Sequence, residues 1–227
     1  MTRYVIFKCD DLLDLTDNVL AFDKIVSEKN IKATWGVIGW SLINPSKQYI
    51  DWVKERNSGG QYEFWNHGFW HGHLHPKNPY DFQNHSILYQ YRTIQRTQKA
   101  AKQVFGFTLH CFGAPANKID YRTAIALMFC HSIKAWFYGY KFSGKDIFVR
   151  TVDIEFPAGG NVDFEKFKNA YIKWGKKHDL ITYQLHPNKW EDKDFKEFEK
   201  IVDFLKSENI EFLLPKDIYN NTKKNTI

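Results

Sequence analysis

The chain has 227 residues, of which 43% are hydrophobic and 26% are charged, and its formal net charge is +6. This apolar content is sufficient for a folded core and excludes an intrinsically disordered chain. No segment approaches the roughly 20 apolar residues of a membrane-spanning helix, and three cysteines without a CxxC pair argue against a disulfide framework. The N-terminal apolar run is too short for a secretion signal, so we expect a cytoplasmic protein with no membrane span.

Strand-like and helix-like segments alternate along the chain. Continuous apolar runs predict strands that are buried on both faces, and helical periodicity predicts helices between them. The predicted strands are residues 3–8, 33–38, 62–65, 109–112, 134–138, 147–155, 180–185 and 211–214. The predicted helices are residues 14–29, 46–56, 86–105, 121–130, 164–176 and 195–207. This alternation predicts a single α/β domain over residues 1–227, a distorted (β/α) barrel of the TIM-barrel type with about seven parallel strands.

The ends of the predicted strands carry most of the chemistry in the sequence. In such a barrel, functional residues lie at the C-terminal ends of the strands. Five strand ends carry ionisable or turn-forming residues: Asp10 and Asp11, His67 and His71, Pro115, Asp153 and Glu155, and His186. We therefore expect these residues to meet at one mouth of the barrel.

His67 and His71 are spaced for joint binding of a metal ion. Residues four positions apart can turn both imidazoles toward one point, and a carboxylate oxygen from Asp10 or Asp11 would complete three protein ligands. This set leaves one position open for water, which is the usual layout of catalytic zinc. Of the two adjacent aspartates, one can bind the metal while the other faces the water; the alternative is that Asp11 or Asp14 caps the first helix.

Two further features support a site at this mouth. Segment 68–83 is long and lacks clear periodicity, and it adds His73 and His75 to the histidines of the third strand end. Loops of that length inside a compact domain are often functional. His186, which is followed by a proline at the end of the seventh predicted strand, is the natural general acid for such a site.

The order of these residues resembles the polysaccharide deacetylase family, also called carbohydrate esterase family four or the NodB-homology domain, over about residues 4–215. The resemblance implies a distorted (β/α) barrel and the metal-dependent removal of an N- or O-acetyl group from a sugar. It implies that Asp10 is the catalytic base and that Asp11 is a metal ligand.

The same resemblance extends to the histidine motifs. His67 and His71 match the two histidines of the family's second motif, which would make them metal ligands beside Asp11. Gly68 stands where that motif has a serine or threonine. Gln184-Leu185-His186 matches the C-terminal motif, which implies that His186 is the catalytic acid.

The family's third and fourth motifs fit this chain less closely. The third commonly reads Arg-x-Pro, with the arginine steering the catalytic aspartate, whereas this chain has Gly113-Ala114-Pro115. Arg150 on the sixth predicted strand is one candidate for the missing arginine. Either Asp153 or Glu155 can orient His186, and we include Asp153 in the predicted catalytic set. These departures indicate a divergent member of the family.

The predicted function is that of a metal-dependent carbohydrate deacetylase, a hydrolase of non-peptide C–N amide bonds with Zn²⁺ as the expected ion. Asp10 would take a proton from water, and His186 would protonate the leaving nitrogen. A backbone N–H of Ala116 or Asn117 would serve as a second donor to the oxyanion. The predicted substrate-binding residues are Pro115, Ala116, Trp70 and Trp190, because sugar rings stack on aromatic faces.

The distribution of charge along the chain indicates which kind of substrate the protein would bind. Residues 82–150 hold ten basic and two acidic side chains, so this segment alone carries a net charge of +8. Such a field can concentrate an anionic ligand, which would suit a nucleotide-linked or lipid-linked acetylated sugar used in surface-polysaccharide biosynthesis. The alternative for Arg92, Arg96, Lys99 and Lys102 is a solvated helix face.

Two other function classes remain open alternatives. One is a carbohydrate-binding barrel that has lost catalysis, which the absent third-motif arginine favours. The other is nucleic-acid binding through the basic segment. We do not expect a nucleic-acid partner, because no basic-aromatic binding motif is present.

Overall fold

The computed structural model describes residues 3–72, 80–157 and 159–222. The strands are β1 (Arg3–Leu12), β2 (Ala33–Val37), β3 (Tyr62–Asn66), β4 (Cys111–Phe112), β5 (Ala135–Phe137), β6 (Asp146–Phe148), β7 (Glu155–Phe156), β8 (Asn161–Val162), β9 (Leu180–Leu185) and β10 (Ile210–Phe212). The α-helices are α1 (Asp17–Glu28), α2 (Lys47–Ser58), α3 (Ile87–Phe105), α4 (Tyr121–Met128), α5 (Phe164–Lys173), α6 (Asp192–Ser207) and α7 (Pro215–Thr222).

Seven parallel strands, β1 to β6 and β9, form a nearly closed barrel, which confirms the predicted fold class. β1 pairs with β9 on one edge and with β2 on the other, and the sheet continues through β3, β4, β5 and β6. A parallel bridge from Arg150 to Thr182 links the chain after β6 to β9 and completes the circuit. β10 pairs with the first residues of β1.

The strands are buried on both faces because helices surround them. Eight of the ten residues of β1 and all five of β2 and of β3 are buried. Aromatic side chains fill the space between barrel and helices: the ring of Phe22 on α1 meets Trp35 at a centroid distance of 5.6 Å and Phe198 on α6 at 5.4 Å. These aromatic side chains therefore form part of the core between barrel and helices.

Hydroxyl and carboxylate side chains fix where the helices begin. The side chains of Thr16, Ser46 and Ser86 accept from the first-turn N–H groups of α1, α2 and α3, which satisfies donors that have no partner within the helix. Asp120 forms a capping box at the start of α4. These caps set the ends of the loops that emerge at the mouth.

The sixth predicted strand is wrong in extent. Residues 147–155 read as one apolar run, but β6 ends at Phe148 and Glu155 begins a separate antiparallel pair, β7 with β8. The run divides because its first half pairs with β5 and its second half leaves the barrel. The helix α7 was not predicted. Among the described helices, none is long and apolar enough to cross a membrane.

Candidate active site

A bulge in β1 brings Asp10 and Asp11 to the same site. In a regular strand, neighbouring side chains point to opposite faces. Here the register of β1 against β2 shifts between Cys9 and Leu12, and Asp11 has a φ of 61°, in the left-handed region. A bulge of this kind re-aims side chains at the end of a strand, so both carboxylates approach His67.

Asp11, His67 and His71 form a compact donor cluster. Oδ1 of Asp11 lies 3.2 Å from Nε2 of His67 and 2.9 Å from Nε2 of His71. One ligand atom from each of the three residues lies within 4.8 Å of the other two. His67 and Asp11 are buried, whereas the His71 side chain keeps 26% of its surface exposed. The cluster therefore has a closed side in the barrel and an open side at the mouth.

The hydrogen bonds of His67 fit the cluster to a cation. Nδ1 of His67 lies 2.8 Å from the carbonyl oxygen of Gly113, which can only accept, so Nδ1 carries the proton. In the neutral imidazole, Nε2 then presents a lone pair to the carboxylate of Asp11. A carbonyl oxygen that accepts from the other ring nitrogen is the usual way in which a protein orients a metal-binding histidine. Two acceptors that face each other are stabilised by a shared positive charge.

The two histidines also act on the protonation of Asp11. Burial raises the pKa of Asp11, but the imidazoles of His67 and His71 beside it outweigh this effect and hold that pKa below its ordinary value. The carboxylate is thus anionic across the physiological range. An anionic oxygen with two imidazole nitrogens is a ligand set that suits zinc and related divalent ions.

Gly68 is required by the turn that carries the two histidines. Its φ is +73°, and a Cβ at this position would lie 2.9 Å from the Phe82 ring and 3.1 Å from Pro115. A serine or threonine would therefore be strained and crowded here. The side-chain oxygen of Asn66 accepts from Gly68 N–H, and Thr97 donates to the carbonyl oxygen of Gly68, which fixes the turn from both sides.

Asp10 is buried, and each of its carboxylate oxygens has a donor. Oδ1 accepts from Nζ of Lys8 at 2.5 Å, and Oδ2 accepts from Nε2 of Gln184 at 2.7 Å. Oδ2 also lies 3.8 Å from Nε2 of His67 and 3.9 Å from Nε2 of His186. Burial lowers the pKa of Lys8, and Asp10 opposes that shift. Asp10 therefore stands between the donor cluster and His186.

Arg150 reaches Asp10 only through an intermediary. Its Nη1 donates to Oε1 of Gln184 at 3.2 Å, and the amide of Gln184 then donates to Asp10. Asn117 donates to the same Gln184 oxygen at 2.9 Å. The guanidinium of Arg150 is paired with Asp153. Of the two carboxylates considered for His186, Asp153 thus lies against Arg150, which corrects its placement in the predicted catalytic set.

Glu155 is the carboxylate that holds His186. Its Oε2 lies 2.7 Å from Nδ1 of His186, and its Oε1 accepts from His186 N–H at 2.5 Å. The indole N–H of Trp190 donates to Oε1 at 2.8 Å, and Gly159 N–H donates to Oε2 at 2.8 Å. Burial lowers the pKa of His186, but Glu155 and Asp10 together raise it above its ordinary value. Protonated His186 can therefore present Nε2 to the mouth.

The predicted substrate-binding residues divide into two pairs. Ala116 is exposed and Trp70 is partly exposed, so both have surface at the described mouth. Pro115 is buried against the Gly68 turn. Trp190 is 4% exposed and packs against Phe198, which corrects its predicted place in an open groove; its indole supports Glu155 instead.

A half-exposed tryptophan beside the mouth was not predicted from the sequence. Trp40 follows β2, is 42% exposed, and its N–H donates to the carbonyl oxygen of Phe69 in the loop after β3. It lines a surface cavity with Leu13 and Ile43, which are also exposed. Its position two residues after the predicted end of the second strand is the sequence feature that could have indicated a place near the mouth. His73 and His75 lie outside the described residues.

Three comparisons place these features among known proteins. A family model described as polysaccharide deacetylase matches residues 2–129. No curated protein sequence matches the chain. The Xyl-CE4 domain of a multidomain xylanase from the hindgut metagenome of Trinervitermes trinervoides is 14% identical, with a TM-score of 0.68, over 98% of this chain and 92% of that one.

Two further solved structures show the same fold. A family 4 acetyl xylan esterase from Clostridium thermocellum, in complex with a cobalt ion, is 16% identical, with a TM-score of 0.67, over 97% of this chain and 92% of that one. A CE4 family pseudoenzyme from Bacillus anthracis is 12% identical, with a TM-score of 0.66, over 96% of this chain and 66% of that one. The likeness to both is one of fold.

Proposed function

The chain belongs to the polysaccharide deacetylase family, and we propose that it is a metal-dependent hydrolase that removes an acetyl group, in the first place an N-acetyl group, from a sugar or a sugar-containing precursor. The observation that carries this proposal is the meeting of three groups at one mouth. The Asp11–His67–His71 cluster, Asp10 and His186 come from β1, the loop after β3 and the end of β9.

Asp11, His67 and His71 would hold the divalent ion, for which we propose Zn²⁺. Their donor set of one carboxylate oxygen and two imidazole nitrogens supports this choice. When bound, such an ion polarises the acetyl carbonyl and lowers the pKa of water. The partial exposure of His71 leaves substrate and water a side from which to approach.

Asp10 and His186 would divide the proton transfers between them. Asp10 is the proposed base, since Oδ2 faces the space between the donor cluster and His186. His186 is the proposed acid, because Glu155 engages Nδ1 and leaves Nε2 to protonate the leaving nitrogen. For the oxyanion, we propose Ala116 N–H as a backbone donor, since Asn117 N–H already donates to the carbonyl oxygen of Ala114.

The proposed substrate is an acetylated sugar with an anionic linking group, nucleotide or lipid, used in surface-polysaccharide biosynthesis. Two observations support an anion. Residues 82–150 carry a net charge of +8, and Nζ of the half-exposed Lys189 lies 3.5 Å from Oδ2 of Asp11 at the mouth. A phosphate beside the sugar would meet this ammonium on entering.

Acetate release tests the proposal. The purified chain, loaded with Zn²⁺, should release acetate from at least one member of a panel of acetylated sugars, chito-oligomers and nucleotide sugars, and a chelator should abolish the release. Asp10→Asn and His186→Ala, both still metal-loaded, should lose about 10²-fold or more of kcat. The exposed Asp203→Asn and His178→Ala are matched controls. Wild-type rates in both site variants would refute the assigned roles.

A carbohydrate-binding barrel without catalysis is the second candidate. Gly113 at the position of the third-motif arginine and the similarity in fold to a CE4 family pseudoenzyme favour it. This candidate predicts that the metal-loaded chain binds a chito-oligomer in calorimetry yet releases no acetate from any panel member. Measurable, chelator-sensitive turnover would exclude it.

A further inference from the structure

We propose that Lys8 is a positioning residue for Asp10, whose ammonium holds the base carboxylate in its working orientation from inside the barrel. This inference rests on the proposed function, because it assigns Lys8 to the proton-transfer step of that reaction. Lys8 stands on β1, two residues before Asp10. No sequence motif identified it, since a lysine within an apolar run carries no sign of its partner.

The contact between Lys8 and Asp10 is buried at both ends. The Lys8 side chain is 0% exposed and the Asp10 side chain 2%, and Nζ lies 2.5 Å from Oδ1. A buried ion pair is weak evidence for added stability, but loss of one partner leaves the other charge uncompensated. The closeness of this pair in the barrel interior means that the orientation of Asp10 depends directly on Lys8.

Aromatic rings hold the ammonium of Lys8 in place. Nζ lies 4.8 Å from the ring centroid of Trp65, 5.0 Å from that of Tyr138 and 5.8 Å from that of Phe137. Ring faces at these distances attract a cation and leave the ammonium little freedom to move. Nζ thus lies between the carboxylate of Asp10 and three ring faces, an arrangement that directs its hydrogen bond to Oδ1 of Asp10.

The turn after β4 leaves no room for a second cationic side chain beside Lys8. A Cβ at Gly113 would lie 2.7 Å from the Trp65 indole and 3.3 Å from Cε of Lys8. The space into which a longer side chain at residue 113 would extend is thus occupied by Trp65 and by the stem of Lys8. A cationic side chain at residue 113 would need the space that Trp65 and Lys8 occupy. Only one of the two positions, 8 or 113, can therefore supply a cation to Asp10.

The two oxygens of Asp10 then have separate tasks. Lys8 fixes Oδ1 directly, whereas Gln184 holds Oδ2 on the side that faces His67 and His186. Arg150 acts on Asp10 only through Gln184. Removal of the Lys8 ammonium should therefore free the carboxylate to rotate away from the reacting water, without a direct effect on substrate binding.

The first experiment compares Lys8→Met with wild type at saturating Zn²⁺. We expect kcat to fall about 100-fold while KM stays within about twofold, because the loss affects the transition state. Zinc content and the circular dichroism spectrum should match those of wild type. Lys145→Met removes a different lysine, a part-buried one bonded to the carbonyl oxygen of Cys130 outside the site, and should leave kcat unchanged.

The second experiment supplies the missing cation from solution. In Lys8→Ala, methylammonium or ethylammonium should restore activity in a saturable manner, whereas ethanol of similar size should not. A general packing role for Lys8 would not produce this charge-selective rescue. If Lys8→Ala does not fold, Lys8→Met decides the matter alone: full activity, or a kcat loss matched by a loss of zinc, overturns the proposal.

A third measurement separates the failure of this inference from the failure of the proposed function. Thermal unfolding of Lys8→Met, Asp10→Asn and the double variant should be non-additive, with the double variant losing several degrees less in Tm than the sum of the single losses. Additive losses would refute the pairing itself, whatever the activity. If the Tm losses of the variants are non-additive but the wild-type chain releases no acetate, the pairing stands, whereas the proposed function and with it the positioning role are refuted.

Discussion

At the scale of single residues, the proposed acid depends on which carboxylate holds it. The sequence offered Asp153 and Glu155 two positions apart, and nothing in their spacing separates them. The structure places Glu155 against both the ring and the backbone of His186, while Asp153 pairs with Arg150. The difference arises because β7 leaves the barrel, which a reading of one continuous strand cannot anticipate.

The pH dependence of catalysis should report the Glu155 contact. Burial lowers the pKa of His186, and the Glu155 bond and Asp10 raise it to a net value above its ordinary one. Because the proposed acid works protonated, activity should be lost as pH rises through this pKa. Glu155→Gln removes an anion, so the pKa of His186 should fall and the basic limb of kcat/KM should move about one unit or more toward lower pH.

Asp153→Asn is the matched control for that change, because it alters a carboxylate on the same segment that contacts Arg150 instead of His186. Its basic limb should coincide with that of wild type. A shift in Asp153→Asn combined with an unshifted Glu155→Gln would contradict the assignment of Glu155.

Trp40 should contribute to substrate binding without taking part in the chemistry. Its half-exposed ring lies beside the mouth, where a sugar can stack on it. Trp40→Ala should raise KM about 3- to 10-fold with little change in kcat, measured by steady-state acetate release. Trp174→Ala, at the C-terminal end of α5 and 50% exposed, is the control and should behave as wild type. Equal KM values for both variants would remove Trp40 from the substrate site.

At the scale of elements, the sequence predicted the strands best where burial is continuous. β2, β3 and β9 are covered on both faces, and their predicted ends lie within one residue of the observed ones. β1 begins at the predicted residue 3 but continues four residues beyond the predicted end, to Leu12. Strand ends also predicted which residues meet at the mouth, since parallel strands end on one side. The bulge in β1, the β7–β8 pair and α7 depend on tertiary pairing, which residue patterns do not encode.

The Gly68 turn is the element on which the histidine pair depends. Gly68→Ala should lower the free energy of unfolding by about 1–3 kcal/mol, from the positive φ together with overpacking against Phe82 and Pro115. Chemical denaturation measures this, and zinc stoichiometry should fall with it because His67 and His71 are displaced. Gly60→Ala is the control, since Gly60 has a φ of +79° with nothing within 4 Å of its added Cβ.

Gly60→Ala should carry the backbone cost alone, about 1 kcal/mol, and should leave zinc binding intact. Equal losses in the two variants would show that packing around Gly68 contributes nothing to the turn.

At the scale of the whole molecule, the positive charge is distributed unevenly with respect to the mouth. Arg92, Arg96, Lys99 and Lys102 are exposed along α3, as the helix-face alternative predicts. Arg150 reaches the site through Gln184, and Lys189, outside the basic segment, is the cation beside Asp11. The four charges on α3 therefore contribute a field rather than contacts with the Asp11 cluster.

Salt should separate an anionic substrate from a neutral one. If the natural substrate carries phosphate, kcat/KM for an acetylated nucleotide sugar should fall several-fold with rising ionic strength, because screening weakens long-range attraction. A neutral chito-oligomer serves as the control and should show little dependence. Lys189→Met should reduce the salt dependence for the anionic substrate. Parallel salt curves for both substrates would exclude the anionic linking group.

The hydrogen bonds of Glu155 have a consequence for where a proton can reside. A carboxylate offers about four lone-pair positions, and Glu155 fills them with His186 N–H, His186 Nδ1, Trp190 Nε1 and Gly159 N–H. Nδ1 of His186 is therefore held against Oε2 of Glu155, and Nε2 is the ring nitrogen that lies on the side of Asp10 and the mouth. The architecture behind His186 thus directs proton delivery outward, through Nε2 to the mouth.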